Sequence, residues 1–268
     1  MEYETLLVEK SNHIATVTLN RPERLNAIND RLLMDLEALA NELREDFVTR
    51  VVILTGAGRA FSAGIDLSRL QDLAGDQQAQ IPSAVERRRR GQLGQRAMNA
   101  LERVEQVTIA AINGVAVGGG VSIALACDLR IAAESARFWI PEVNLGVPLS
   151  WGTIPRLVRL VGPAKAKELV MACDWVDASE ALALGLLNKV VPLDKLTECA
   201  QEMAEKIATK APLAITMTKA AVNAVSAIGF GEMTYSDSDL FQLCSGTDDI
   251  REGIRAYFEK RKPKFTGR

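Results

Sequence analysis

The segment VTIAAINGVAVGGGVSIALACDL, residues 107–129, joins a run of β-branched and small apolar residues to three consecutive glycines, Gly118-Gly119-Gly120. The apolar run predicts a buried strand that breaks at Asn113-Gly114, and the small residues after the glycines predict a helix. Glycines let another group approach the backbone closely, and the first turn of a helix has N–H donors without intrahelical partners. The segment therefore predicts either a corner that stabilises negative charge on an oxygen or a place where a helix packs tightly on a sheet.

A second glycine-rich corner follows another predicted strand. Residues 51–55, VVILT, form a continuous apolar run typical of a strand buried on both faces, and GAGRAFSAGIDL follows at 56–67. Phe61 stands where a dinucleotide-binding loop needs its third glycine, and no GxxxxGK[ST] pattern occurs in the chain. We therefore expect neither corner to bind a nucleotide in the manner of these two motifs.

The periodicity of the rest of the chain predicts an α/β fold in two regions. Asn29 is a good N-cap for an amphipathic helix over 30–45. Strands and helices alternate through residues 1–192, and every periodic segment in 193–268 is helical. The apolar stripes of the helical region are longer than so small a unit could bury alone, so we expect self-association.

Composition and charge exclude several classes of function. The chain has 268 residues, of which 48% are hydrophobic, and its formal net charge of −2 gives no basic field for nucleic acid. The first residues, MEYETLLVEK, lack the positive charge and apolar run of a signal peptide, and the apolar stretches are too short to span a membrane. We expect a cytoplasmic protein that binds neither nucleic acid nor membranes.

Histidine and cysteine usage argues against a metal site and against covalent hydrolase chemistry. The single histidine, His13, lies beside a turn predicted at Ser11-Asn12, between strands at 3–8 and 14–19. The chain has no GxSxG motif. The four cysteines are far apart and form no CxxC motif, so we expect reduced, mostly buried thiols and no metal; they are Cys127, Cys173, Cys199 and Cys244.

Glu142 is a candidate for proton transfer because it lies in an apolar segment, between FWIP and VNLGVP. Burial among apolar side chains raises the pKa of a carboxyl toward neutrality, which suits an acid or base at physiological pH. The alternative is an ion pair with Arg130, Arg137 or Arg156, and spacing alone favours this alternative slightly.

The charge run ERRRR at 86–90 is best interpreted as a solvated helix face. A second interpretation is that some of these arginines attract an anionic ligand.

Six segments together resemble the crotonase (enoyl-CoA hydratase/isomerase) superfamily over nearly the whole chain. The segments are NRPERLNAI at 20–28, AFSAGIDL at 60–67, AINGVAVGGGVSIALACDLRIA at 111–132, PEVNLG from 141, ASEALALGLLNKVV at 178–191 and AYFEKRKPKF at 256–265. The resemblance implies a spiral of ββα turns over 1–192 followed by a helical trimerisation region at 193–268. It also implies that the protein assembles as a trimer or as a hexamer of two stacked trimers.

The resemblance implies an acyl-CoA thioester substrate and no permanently bound cofactor, since coenzyme A enters as part of the substrate. By motif position, the backbone N–H groups of Ile65 and Gly119 polarise the thioester carbonyl and stabilise an enolate. The segments NRPERLNAI and AFSAGIDL resemble the walls of the CoA channel, with Arg24 and Lys262 as candidate phosphate partners. The remaining channel candidates are Ala63, Asp66 and Leu67.

The reaction depends on two positions that hold glutamates in hydratases of this superfamily. Here Glu142 occupies the second position, and Ser122 occupies the first, two residues after the glycine triplet. A serine holds water but does not act as a carboxylate base. We therefore expect Δ3,Δ2-enoyl-CoA isomerisation by one glutamate, with Trp151 shaping the acyl pocket. Hydration of 2-enoyl-CoA is the alternative, and acyl-CoA binding without turnover is the third.

Overall fold

The computed structural model of the protein describes residues 3–66, 83–226 and 239–268, so the channel candidate Leu67 lies outside the described residues. In the described part, the strands are β1 (Leu6–Ser11), β2 (Ile14–Leu19), β3 (Val51–Gly56), β4 (Ala60–Ser62), β5 (Val107–Ile112), β6 (Val115–Val117), β7 (Leu129–Ala133), β8 (Arg137–Trp139), β9 (Val176–Asp177) and β10 (Lys189–Val191). The α-helices named below are α1 (Asp30–Arg44), α2 (Ala84–Gly91), α3 (Leu93–Glu102), α4 (Gly119–Ala126), α5 (Thr153–Ala172), α6 (Ala178–Ala183), α7 (Leu196–Ala208), α8 (Pro212–Ser226) and α9 (Asp248–Phe258).

These strands form two sheets that the chain visits in turn. The larger sheet has the order β1-β2-β3-β5-β7-β10, and the smaller has the order β4-β6-β8-β9. Strands β3, β5 and β7 are parallel neighbours in the larger sheet, and each is followed by a strand of the smaller sheet. The chain therefore advances by one position in both sheets with each repeat. This arrangement is the spiral of ββα turns that the resemblance implies.

Both faces of the larger sheet are covered, as the continuous apolar runs predict. Val52 and Leu54 of β3 pack in one apolar cluster with residues of α1, α3 and α4. Val51 and Ile53 point the opposite way, because side chains alternate along a strand, and they pack with residues of α7. The prediction that residues 51–55 are buried on both faces is confirmed.

Helix α7 packs on the larger sheet and completes the core, although the sequence analysis places it in the helical region 193–268. Leu196, Ala200 and Ala204 of α7 belong to the apolar cluster on the second face of the sheet. The boundary predicted at residue 192 therefore lies before a helix that the sheet needs in order to bury that face.

Helix α8 is attached to the core on one side and exposed on the other. Lys219 Nζ lies 2.7 Å from Asp128 Oδ2 and donates to the carbonyl oxygen of Gln106 at 2.8 Å. Its other side carries exposed apolar residues at i, i+4 and i+12 spacing, including Leu213 and Met217. No residue of the described ranges 3–66, 83–226 and 239–268 covers the apolar side of α8.

The first hairpin lies closer to the C-terminus than the sequence predicts. Strand β1 runs from Leu6 to Ser11 rather than over 3–8, and the two loop residues are Asn12 and His13, with φ of 50° and 67°. Positive φ at both central residues is what a two-residue hairpin loop requires, so the turn predicted at Ser11-Asn12 is displaced by one residue. His13 Nδ1 lies 2.9 Å from the carbonyl oxygen of Val48, and its predicted place in the hairpin is confirmed.

No helix within residues 3–66, 83–226 and 239–268 is both long and apolar enough to cross a bilayer.

The start of α1 provides a test of the fold. Asn29 Oδ1 accepts a hydrogen bond from the Leu32 N–H at 2.9 Å, so Asn29→Ala should lower the free energy of unfolding by about 1 kcal/mol. Asn41→Ala makes the same substitution at an exposed position of the same helix and should change stability by less than about 0.5 kcal/mol. Urea denaturation of both variants measures the difference. Equal losses would contradict the capping role.

Candidate active site

The two glycine-rich corners border one cavity of about 1230 Å³. Seven of the sequence-predicted residues line it: Ala63, Ile65, Gly119, Ser122, Glu142, Trp151 and Lys262. The fold thus brings together residues that are up to about two hundred positions apart in the chain.

The Ile65 amide is oriented by a parallel bridge between Ile65 and Ile28. The Ile28 N–H donates to the Gly64 carbonyl at 2.7 Å, and the Asp66 N–H donates to the Ile28 carbonyl at 2.9 Å. Backbone groups of successive residues alternate in direction along an extended segment. The N–H of Ile65 therefore points away from Ile28, on the side where Ile65 lines the cavity.

The Gly119 amide is a donor at a helix start. Gly119 is the first residue of α4, so its N–H has no intrahelical partner. A Cβ at this position would lie 2.6 Å from the Trp151 ring and 2.9 Å from Ile28 Cδ1. A side chain is therefore excluded here, and the backbone itself forms the cavity wall.

The two corners touch one another. Gly64 has φ of 84°, and a Cβ there would lie 2.7 Å from the carbonyl oxygen of Val117, one residue before the glycine triplet. This contact fixes the segment that carries the Ile65 amide beside the segment that carries the Gly119 amide. The arrangement favours the charge-stabilising corner over a purely structural role for the triplet.

The carboxyl of Glu142 lies against the glycine triplet. Glu142 begins a short 3-10 turn, Glu142–Leu145, and a Cβ at Gly118 would lie 2.5 Å from its Oε1. Its Oε2 is buried and has no hydrogen-bond partner among the residues that the structure describes. Burial raises the pKa of the Glu142 carboxyl from 4.5 to about 7. At neutral pH this group is able both to donate and to accept a proton.

The alternative of an ion pair between Glu142 and an arginine is wrong. Arg130 donates to the carbonyl oxygens of Leu186 and Cys127. Arg137 stacks over the Trp175 ring at 4.7 Å, and Arg156 pairs with Glu102 at 2.7 Å. Each of these guanidinium groups thus contacts a group other than Glu142, and the Glu142 carboxyl is left able to take part in proton transfer. Closeness in sequence does not bring these arginines to Glu142, because the spirally wound chain places neighbouring segments in different sheets.

Ser122 presents a hydroxyl to the same cavity. Its Oγ lies 2.6 Å from Thr153 Oγ1, which in turn donates to the Ser150 carbonyl at 2.6 Å. With the Thr153 proton used in that bond, Ser122 donates to Thr153 and keeps its lone pairs as acceptors. Thr153 gave no signal in the sequence, because its contact with Ser122 joins α4 to the start of α5.

Trp151 forms a wall of the cavity in a left-handed backbone conformation, with φ of 61°. Its indole ring fills space that side chains at Gly94 and Gly119 would occupy, at 2.2 Å and 2.6 Å from their ideal Cβ positions. The Trp151 carbonyl accepts from Arg156 Nη1 at 2.9 Å, which fixes the residue in this unusual conformation.

Some of the predicted CoA-channel residues line the cavity, and others do not belong to its described lining. Lys262 is exposed and lines the cavity, whereas Arg24 is exposed in a 3-10 turn and is not among the described lining residues. Asp66 is also absent from that lining, and its carboxylate pairs with Arg21 at 3.0 Å. Of the predicted channel residues, Ala63 and Lys262 line the cavity, and Lys262 is the one that carries a charge.

The charge run at 86–90 reaches the cavity through one of its arginines. Arg88 lines the cavity and pairs with Asp239 at 3.0 Å. Asp30 lies on the lining too. The anion-attracting interpretation of the run stays a prediction, since the cation at Arg88 already has a carboxylate partner.

Comparison with known proteins agrees with this geometry. Residues 9–268 match the sequence profile of the enoyl-CoA hydratase/isomerase family. The crotonyl-CoA hydratase of Syntrophomonas wolfei is 38% identical over 266 residues, covering 99% of this chain and 99% of that protein. The short-chain-enoyl-CoA hydratase of Clostridium acetobutylicum is 39% identical over 263 residues, covering 98% and 97%. A crystal structure of an enoyl-CoA hydratase from Mycobacterium avium subsp. paratuberculosis has a TM-score of 0.87 at 26% identity, covering 99% of this chain and 100% of that one.

The chain belongs to the enoyl-CoA hydratase/isomerase family. It is an enzyme of acyl-CoA thioesters, and the crotonase-type fold that the resemblance implies is confirmed.

The raised pKa of Glu142 couples the stability of the free enzyme to pH. The carboxyl has a pKa of 4.5 in an unfolded chain and about 7 in the folded protein. Its contribution to stability is therefore complete below pH 4.5 and is lost as the pH rises through 7. The total loss is about 3 kcal/mol.

The variant Glu142→Gln stays uncharged at every pH and lacks this loss. Between pH 4.5 and about pH 7, the free energy of unfolding of this variant should exceed that of the wild type by a growing margin. Above that range, we expect the margin to stay constant. Chemical denaturation at a series of pH values measures the difference. Parallel pH profiles would show that the Glu142 carboxyl titrates normally.

Proposed function

We propose that the protein adds water to the double bond of a short 2-enoyl-CoA thioester. The observation that carries this proposal is the buried carboxyl of Glu142, whose Oε2 has no hydrogen-bond partner among the described residues, in a cavity that two backbone donors, Ile65 and Gly119, also line. The two relatives described above are named as hydratases of crotonyl-CoA and of short-chain enoyl-CoA. The indole of Trp151 beside Gly119 limits the space for the acyl chain.

In the proposed reaction, the N–H groups of Ile65 and Gly119 bind the thioester oxygen and stabilise the negative charge that develops on it. The oxygen of water bonds to C3, and the π electrons of the C2=C3 bond move toward C2 and the thioester oxygen. Glu142 delivers its proton to C2 and takes up the proton that the water releases. The carboxyl thus ends the cycle protonated as it began.

One carboxyl suffices for both proton transfers because it has two oxygens and a pKa near 7. Ser122, with the lone pairs of its hydroxyl free, holds the water. The CoA portion leaves the cavity past Lys262, whose ammonium suits a phosphate.

Isomerisation of 3-enoyl-CoA is the second candidate, and Ser122 is the observation that favours it. The resemblance places a glutamate at this position in hydratases, whereas a single carboxyl is enough to move a proton from C2 to C4. The residue types at these two positions therefore predict isomerisation. The names of the relatives favour hydration instead.

Parallel assays with a short 2-enoyl-CoA and the matching 3-enoyl-CoA test the proposal, with the CoA products identified by mass spectrometry. We expect 3-hydroxyacyl-CoA from the 2-enoyl substrate and a kcat for Glu142→Gln lower by about 10³-fold, with binding of butyryl-CoA retained. Formation of 2-enoyl-CoA from the 3-enoyl substrate without hydration would replace the proposal by isomerisation. Turnover of neither substrate would contradict both.

Ser122→Ala separates the two reactions further. Loss of one hydrogen bond to the attacking water should slow hydration about tenfold, whereas a proton transfer between carbon atoms does not need that water.

We further propose that copies of the chain associate through the exposed side of α8. Four apolar residues of this helix are strongly exposed: Leu213 at 71%, Met217 at 56%, Val222 at 58% and Val225 at 70%. Apolar side chains exposed in this way are typical of a surface that is buried in an assembly.

Sedimentation should therefore show a trimer or a multiple of it. Met217→Glu places a charge in the proposed contact and should shift the protein toward a smaller species. Val85→Glu, another exposed apolar position on α2, is the control and should leave the assembly unchanged. A monomeric wild type would overturn the proposal.

A further inference from the structure

We propose that the Arg21–Asp66 ion pair is a positioning pair that holds the Ile65 amide in its donor orientation. The inference rests on the proposed function only in that it takes the Ile65 N–H as a donor to the thioester oxygen. It assigns a role to two side chains that are not among the described residues lining the cavity.

The guanidinium of Arg21 joins the two segments whose bridge orients the amide. Arg21 Nη2 lies 3.0 Å from Asp66 Oδ2, and Arg21 Nη1 donates to the carbonyl oxygen of Ala27. Ala27 precedes Ile28, and Asp66 follows Ile65. The planar guanidinium of Arg21 thus binds the residue before Ile28 and the residue after Ile65, the two residues that form the bridge.

The Ile28 N–H bond to the Gly64 carbonyl holds the peptide unit of the Ile65 amide directly, and the Arg21–Asp66 pair adds a side-chain attachment just beyond it. The Ala63 N–H donates to the Leu25 carbonyl at 2.9 Å, and Ser62 Oγ donates to the Asn26 carbonyl at 2.8 Å. These bonds fix the segment before Ile65. Beyond Ile65, the Asp66 N–H bond to Ile28 and the Arg21–Asp66 pair continue the attachment.

Burial makes the pair strong enough for this role. The side chains of Arg21 and Asp66 are only 16% and 13% exposed, so their attraction is screened less than that of a surface pair. Arg21 is itself held, because its backbone N–H donates to Asn26 Oδ1 at 2.9 Å and the Asn26 amide donates to the carbonyl oxygens of Ala57 and Ala60.

Neither Arg21 nor Asp66 is among the described residues that line the cavity. Their effect on catalysis therefore passes through the direction of the Ile65 N–H. A donor that is misdirected by a fraction of an ångström loses transition-state stabilisation while substrate binding elsewhere in the cavity is retained.

The test uses three variants of the full-length enzyme. Asp66→Asn removes the charge, Arg21→Lys keeps the charge and removes the planar guanidinium, and Glu37→Gln is the control. Glu37 pairs with Arg96 at the same N–O distance of 3.0 Å, but on the surface. Circular dichroism and the assembly state establish that each variant is folded.

Two readouts are measured for each variant. The first is kcat and KM with a short 2-enoyl-CoA. The second is the infrared carbonyl stretch of bound butyryl-CoA with ¹³C at the thioester carbon. This saturated probe has no double bond to hydrate, and its carbonyl frequency falls when backbone donors polarise the oxygen.

We expect Asp66→Asn to lower kcat about 10- to 100-fold, less than the loss of a whole oxyanion donor, with KM within about threefold. The carbonyl frequency should move back toward its value in water. Arg21→Lys should show an intermediate effect on both readouts, and Glu37→Gln should match the wild type.

A folded Asp66→Asn variant with a wild-type carbonyl frequency would overturn the positioning role, whatever its kcat. If Asp66→Asn does not fold, Arg21→Lys decides on the same criterion. Failure of the proposed function gives a different result, because the wild-type enzyme would then form no 3-hydroxyacyl-CoA from the 2-enoyl substrate. The carbonyl frequency of bound butyryl-CoA reports on the Ile65 donor whether the enzyme hydrates or isomerises.

Discussion

The close approach of two backbone corners is the constraint on which the active site depends. Gly64 contacts the Val117 carbonyl, and Gly118 contacts the Glu142 carboxyl, at separations that leave no room for a Cβ. Both glycines also have positive φ, which other residues adopt only with strain. Because these positions lack side chains, two main-chain donors and one carboxyl border the same cavity. The two sheets and their helices hold the corners in this relation.

The electrostatics of the site follow from burial rather than from a charged neighbour. The Glu142 carboxyl has a raised pKa because water is excluded from it. The arginines close to it in sequence bind other partners: Arg156 pairs with Glu102, Arg137 stacks on Trp175, and Arg130 donates to backbone carbonyls. An unpartnered buried oxygen costs stability. Such a cost is retained at functional sites, where an uncharged acid at neutral pH is useful.

Local signals in the sequence predicted much of the fold and several members of the site. The apolar runs at 51–55 and 107–112, the Asn29 cap and the glycine triplet are short-range patterns, and the structure shows each as expected. The resemblance of six segments identified the family. The Arg21–Asp66 pair and the Ser122–Thr153 contact join residues far apart in sequence, so no periodicity reveals them. The choice between hydration and isomerisation rests on where water and C4 lie, which residue types alone do not specify.

Because burial raises its pKa to about 7, the Glu142 carboxyl of the free enzyme is present in both protonation states in neutral solution. In the proposed hydration the acid form both begins and ends the cycle, so the dehydration that reverses it starts from the same form. The same protein population therefore serves the forward reaction and its microscopic reverse. The direction of net flux is then left to the concentrations of the two thioesters rather than to the enzyme.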